Sequence, residues 1–134
     1  MWRKITLMTI LILALGIAIV QPALAQNASW TADFFNNPYL LGAAAATRTD
    51  GAVAFDWGNA APNAGVNTDN FSVRWGADPY FTAGTYRFYA LADDNVKVNV
   101  GFSYAPQIDT FSSLAIGQVV SADVTLTLDR KSVV

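Results

Sequence analysis

The sequence predicts an all-β domain, a sandwich or barrel of short strands. Three observations lead there. Beyond Gln26 no long apolar run repeats at the 3.6-residue helical period. Short runs alternate apolar and polar residues instead, the period of a strand with one buried face. Gly, Pro, Asn and Asp separate those runs at the spacing of a small sandwich or barrel.

The elements follow in order. Trp30 to Phe35 reads as a first strand, ended by the turn signal Asn36-Asn37-Pro38. Ala43 to Ala46 is a small-residue loop or a brief helical turn, and Ala52 to Trp57 reads as a second strand. Gly58 to Asn70 holds Pro62, Gly65 and four Asn, so a long loop is expected. Phe71, Val73 and Trp75 alternate with Ser72 and Arg74 to give a strand, and Gly76 to Gly84, with Pro79, reads as a loop. Tyr86, Phe88 and Ala90 alternate in the next strand, and Val96, Val98, Val100 and Phe102 in the one after it. Asp93 and Asp94 interrupt the two where the chain should turn. Val120, Ala122, Val124, Leu126 and Leu128 mark a final strand.

The first 25 residues stand apart. Arg3 and Lys4 precede an apolar run from Ile5 to Val20, Pro22 breaks it, and Ala23-Leu24-Ala25 has the small-x-small pattern of a cleavage site. This is the pattern of a secretory signal peptide, a helix expected to be cut after Ala25. An uncleaved anchor is the alternative, although the run is slightly short of the ~20 residues a spanning helix needs. Residues 26–134 then form one domain, secreted or extracellular.

Composition excludes several chemistries. The chain has no His and no Cys, which removes histidine bases, disulfides, thiolate nucleophiles and thiolate zinc sites. All ten acids are Asp. Without Arg3 and Lys4, six basic residues face those ten, a net charge of −4. An acidic domain without a basic cluster does not suit nucleic acid or an anionic membrane surface. Ser and Thr lack a His partner, no phosphate-cradling Gly-rich loop is present, and nothing selects a catalytic carboxylate pair among the Asp residues. An enzyme is not expected.

Six motifs in order carry a resemblance. They are W-T-A-D-F-F-N-N at Trp30 to Asn37, F-D-W-G at Phe55 to Gly58 and F-S-V-R-W at Phe71 to Trp75. A-G-T-Y-R-F at Ala83 to Phe88, A-D-D-N-V-K-V at Ala92 to Val98 and I-D-T-F at Ile108 to Phe111 complete the series. The chain resembles the PA14 domain from about Trp30 to Leu128. The resemblance implies a β-sandwich or barrel, non-catalytic, attached to larger exported proteins, with carbohydrate bound through Ca²⁺ in some members. It implies metal ligands at Asp93 and Asp94 and carbohydrate contacts at Asp93, Asp94 and Asn95, with a glycan or cell-surface polysaccharide as partner. In the sugar-binding members a cis peptide joins the paired acids. Asn95 stands where the family usually has Gly, and Asn tolerates a left-handed backbone better than most residues. The family also continues beyond the point where this chain reaches Asp129 and Arg130 to Val134. The domain is therefore expected to be incomplete at its C-terminal end, with Val124, Leu126 and Leu128 under-covered and a sheet edge open.

Alternatives stand beside these readings. Asp93 and Asp94 also suit a solvated turn whose carboxylates accept backbone N–H groups. Two carboxylates fall short of the about 6–8 oxygens Ca²⁺ takes. Trp57 and Trp75 could stack on sugars, but their periodic placement favours the core. Tyr89 is the better candidate for an exposed aromatic, while Arg74 and Arg87 are expected to pair with Asp residues or lie across apolar surface. The functional alternative to carbohydrate binding is a structural or protein-interaction module with no ligand of its own.

Overall fold

A computed structural model describes residues 21–22, 29–101, 104–113, 115–127 and 130–133. The apolar run at Ile5 to Val20 and the cleavage site at Ala25 lie outside these residues. The described elements are all strands: β1 (Gln21–Pro22), β2 (Trp30–Phe35), β3 (Ala46–Asp50), β4 (Ser72–Phe81), β5 (Gly84–Ala90), β6 (Lys97–Val98), β7 (Ile108–Asp109), β8 (Val120–Leu126) and β9 (Arg130–Val133). They form a four-stranded sheet in the order β3-β2-β4-β9, a three-stranded sheet in the order β1-β5-β8, and the small pair β6-β7. The all-β expectation holds.

The four-stranded sheet sorts its side chains by register. Ala32 pairs with Arg48 on one side and Trp75 on the other, and Phe34 with Ala46 and Val73. Ala32 and Phe34 are completely buried, and with Val66 they form one core cluster, flanked by Ala46, Trp57, Phe71, Val73 and Trp75. The opposite face carries the row Thr47, Asp33 and Arg74. In the three-stranded sheet Tyr86 faces Val124 and Phe88 faces Ala122, while Arg87 faces Asp123. A second cluster forms there around Phe81, Val100 and Leu126. Leu126 is buried and Val124 packs against it, so the expected exposure of these two residues is not found. Leu128 lies outside the described residues.

Three strand expectations are corrected. Ala52 to Trp57 is not a strand; the residues before it, Ala46–Asp50, take that place. β3 has little apolar signal because its inward positions after Ala46 are Arg48 and Asp50. The expected loop at Gly76 to Gly84 instead continues β4 to Phe81, with Ala77 and Phe81 buried. Pro79 is accommodated because the pairing of β4 with β9 shifts register between Ala77 and Tyr80, where a missing N–H costs no ladder bond. The run from Val96 to Val100 shrinks to the two residues of β6. Its neighbours are held by other bonds: Val96 N donates to Thr110 Oγ1, and Val100 N to the Gln107 side chain.

The two Asn residues after β2 hold the loops that cover the first cluster. Asn36 Nδ2 donates to Gly65 O, and Asn36 Oδ1 accepts from Asn67 N. Gly65 itself has φ of 80°, a conformation that suits a residue without Cβ. Between these two contacts Val66 enters the core. Asn37 Oδ1 accepts from Tyr39 N and Leu41 N, and its Nδ2 donates to Leu41 O. That clamp, with Leu40 N donating to Ser72 Oγ, fixes Leu40 at φ of 54°. A left-handed Leu costs roughly 1–2 kcal/mol, and the surrounding bonds offset it.

Candidate functional site

Asp93, Asp94 and Asn95 lie in the segment that leaves β5 and enters β6. β5 continues a sheet with β8, whereas β6 departs to pair with β7. The chain therefore passes from one sheet to another here rather than folding back into the first. Asn95 keeps a negative φ; among described non-Gly residues only Leu40 and Asn70 are left-handed. The expected left-handed turn at Asn95 is thus replaced by a crossing, because Val96 is drawn to Thr110 by bonds at both its N–H and its carbonyl. No peptide bond among the described residues is cis, so the Asp93–Asp94 bond is trans, unlike the arrangement the resemblance implied.

The carboxylates of Asp93 and Asp94 are exposed, and Asp94 Oδ1 accepts a hydrogen bond from Asn95 N at 2.8 Å. Asn95 differs. Its side-chain oxygen is buried and has no hydrogen-bond partner. A buried acceptor without a donor costs about 1–3 kcal/mol, so its presence beside two carboxylates calls for a reason. Asn99 Oδ1, beyond β6, is a second such atom. Among the described residues no group of three Asp carboxylates converges.

Sequence periodicity did not reveal the wall beside the pair. Gly117 N donates to Ala92 O at 2.8 Å, which brings the turn at residues 115–118 next to Asp93. Ile116 is exposed there, as are Leu91 and Val119 at the end of the β5-β8 ladder. The contact spans 25 residues of sequence, and no local pattern announces it. Tyr89, on the outward face of β5, is exposed as expected.

The tryptophans belong to a different kind of site. Trp57, Trp75 and Phe55 lie nearly parallel, with interplanar angles of 7° to 11°. Phe34 meets both tryptophans edge-on. The Arg48 guanidinium lies 4.8 Å from the Phe34 ring centroid and 4.9 Å from that of Phe55. It donates twice to Asp50 and once to Pro62 O, and Asp50 also accepts from Trp75 Nε1. The carboxylate is thus satisfied by three donors; Trp57 and Trp75 are half-buried against the first core cluster, as the periodicity favoured, and Phe55 closes the stack from an exposed position. Arg74 and Arg87 likewise pair with Asp33 and Asp123. The Arg74 guanidinium, then the Thr47 hydroxyl, hold the Asp33 carboxyl below the usual range. Arg87 does the same for Asp123.

A 53-residue stretch, 38% of the chain, is 38% identical to the Anti-sigma-I factor RsgI3 of Acetivibrio thermocellus, of which it spans 8%. No solved structure matches. The family model of the PA14 domain matches residues 25–103, more than half of the chain, which includes the whole first core cluster, Phe81 and Val100 of the second, and the Asp93 to Asn95 crossing; Leu126 lies beyond it. On that match, and on an all-β fold of the expected kind, the chain belongs to the PA14 domain family.

Proposed function

We propose that this PA14 domain is a secreted, non-catalytic carbohydrate-binding module, part of a larger protein, in which Asp93, Asp94 and Asn95 hold the glycan with the assistance of Ca²⁺. The family is in general one of non-catalytic binding domains. The observation that carries the reading is the buried, unpartnered Oδ1 of Asn95 beside two exposed carboxylates. A sugar hydroxyl is the donor such an atom lacks, and a hard cation is the other species that would satisfy it; because the oxygen is closed to solvent, either would reach it only when the Asp93 to Asn95 segment opens. The donor set suits Ca²⁺ in kind: two carboxylates and an amide oxygen, all hard oxygens. The ion would complete its shell with water and ligand hydroxyls, which places the affinity at the weak end, roughly 10⁻⁴–10⁻³ M. When bound, it would supply a positive centre that orients vicinal hydroxyls. Asp93 and Asp94 would balance its charge, and Asn95 would fix the register of the ligand.

The test is a Ca²⁺ titration of the exported protein, followed by thermal melts with Asp94→Asn alongside. A ligand of the folded state present at about tenfold its Kd stabilises by ~1.4 kcal/mol, or roughly 5 °C for a domain of this size. Asp94→Asn should abolish most of that shift, and chelation should release bound glycan. If neither protein responds to millimolar Ca²⁺ and no glycan is retained, the reading fails. The second reading, a protein-interaction module, is favoured by one observation, the exposed Leu91, Ile116 and Val119 beside the pair. It predicts partner binding indifferent to chelation.

A further inference from the structure

Asn95 has a counterpart further along the same segment. The Asn99 side-chain oxygen is likewise buried and receives no hydrogen bond. Lys97 stands between the two, and Val96, Val98 and Val100 alternate with all three. Val98 and Val100 pack in the second core cluster, and Val96 is bonded to the buried Thr110. Asn95, Lys97 and Asn99 therefore line the opposite, outward side of the segment. β7 supplies the rest of that side. Lys97 pairs with Asp109 across the ladder, its ammonium 3.4 Å from the carboxylate and 4.9 Å from the centroid of the Phe111 ring. Phe111 is 56% exposed, and its backbone N donates to Asp109 Oδ1.

This face is fixed from behind. Val96 N donates to Thr110 Oγ1, and Thr110 N and Oγ1 both donate to Val96 O. Gln107 N donates to Val98 O, and the Gln107 side-chain oxygen accepts from Val100 N. A small ladder that is this firmly held does not need the outward side chains for its own stability.

We propose that the outward face of β6 and β7 is a second subsite of the glycan site, and that the ligand is a chain of linked sugars, held by Asn95 at one end and by Asn99 and Phe111 further along. The proposal rests on the reading of Asp93, Asp94 and Asn95 as the glycan site and names the ligand class of that site. Four residues of extended chain span about 13 Å, farther than a single sugar ring reaches, so one ligand meets both amides only as a chain. Each Asn oxygen lacks the donor that a hydroxyl provides. Lys97 and Asp109 set a donor beside an acceptor, and Phe111 offers an exposed flat ring to the apolar side of a pyranose. Both Asn residues are half-buried while these oxygens are closed to solvent. Each amide therefore swings outward to meet the ligand, Asn95 as its segment opens, and the bonds behind β6 stay in place.

The test uses the full exported protein in millimolar Ca²⁺ and an array of immobilised glucose, mannose and galactose with their linear oligomers of increasing length. For the sugar that is retained, the trisaccharide should bind at least about tenfold more tightly than the monosaccharide. Asn99→Ala and Phe111→Ala should each remove most of that gain. Phe111→Trp, which keeps a ring, should preserve it, a result that loss of folding would not give. Urea unfolding of each variant checks that the domain is intact, and neither Ala substitution takes a partner from a buried group. Affinity that does not rise with length overturns the proposal. So does an unchanged trisaccharide affinity in both Ala variants. If Asp94→Asn still abolishes retention in either case, the glycan site stands and ends at Asn95. If no sugar of any length is retained, the proposal falls together with the glycan reading.

Discussion

Two motifs in this chain place polar side chains close to the cores, and they treat them in opposite ways. In the Trp30 to Asn37 motif the three polar side chains with a structural role are all satisfied. Asp33 accepts from Thr47 and Arg74, Asn36 clasps Gly65 and Asn67, and Asn37 clamps Tyr39 and Leu41. In the Ala92 to Val98 motif the carboxylates project into solvent, and the Asn95 oxygen is buried with nothing to receive. The first motif spends its polar groups on holding loops to the sheet. In the second, Asp94 accepts only from the neighbouring Asn95 N, Lys97 pairs with Asp109, and the Asn95 oxygen is left without a donor. Satisfied networks define where the fold is rigid, and an unsatisfied one marks where a ligand has something to complete.

The contrast predicts a gradient of substitution effects, greatest where satisfaction is most complete. Asp50→Ala stands at the top. It leaves the Arg48 guanidinium between Phe34 and Phe55 without its counter-charge and Trp75 Nε1 without an acceptor. Removing one partner of a fully buried pair costs about 3–5 kcal/mol; here Asp50 is buried and Arg48 about a quarter exposed, so the loss should reach the lower end of that range, still a large part of the ~5–15 kcal/mol that holds a domain of this kind. Urea unfolding of the variant should show a midpoint far below that of the wild type, or no folded baseline. A loss below about 1 kcal/mol would place this pair with ordinary surface pairs and remove the upper end of the comparison.

That same pair explains what the sequence did and did not disclose. β2, β5 and β8 were legible because their inward positions are apolar at every second residue, as in Tyr86, Phe88 and Ala90. β3 was not, because Arg48 and Asp50 sit where periodicity looks for apolar side chains. The only local hint was the β-branched Thr47 and Thr49. Val53, Phe55 and Trp57 alternate as a strand would, yet their segment crosses the face of the sheet, and the alternation serves to stack rings on Trp75. The break between β5 and β6 around Asp93 to Asn95 is legible, since acids interrupt two apolar runs there. Its geometry was not legible, because the crossing is set by Thr110 and the apolar wall by Gly117, both distant in sequence.

A smaller effect is expected at Asp33, and it carries a pH signature. Arg74, then Thr47, depress its carboxyl pKa in the folded state. A depressed carboxylate adds stability above its unfolded value of about 4, and that contribution disappears as pH falls through the folded value. Because Arg74 is half-exposed, the pair is worth only ~0.2–1 kcal/mol. Asp33→Asn should therefore be less stable than the wild type at pH 7, and the gap should close in acid below pH ~4. A gap that stays constant across that range would mean that the charge of Asp33 contributes nothing.

The smallest effect, and the one of opposite sign, is expected at Asn95. Removing a satisfied amide such as Asn37 deprives backbone groups of their partners, whereas the Asn95 oxygen has no partner to lose. Burying that oxygen without a donor is a cost carried only by the folded state. Asn95→Ala should lift the cost in the absence of ligand, offset in part by the packing lost with the amide. The net change in metal-free buffer should be near zero or stabilising, by up to about 1 kcal/mol. In millimolar Ca²⁺ with glycan present the order should invert, because the wild type alone then gains the bond that its oxygen lacks. Thermal melts of both proteins in the two buffers measure this crossing directly. If Asn95→Ala loses more than about 1 kcal/mol in metal-free buffer, the oxygen is committed within the fold after all, and the second motif is built like the first.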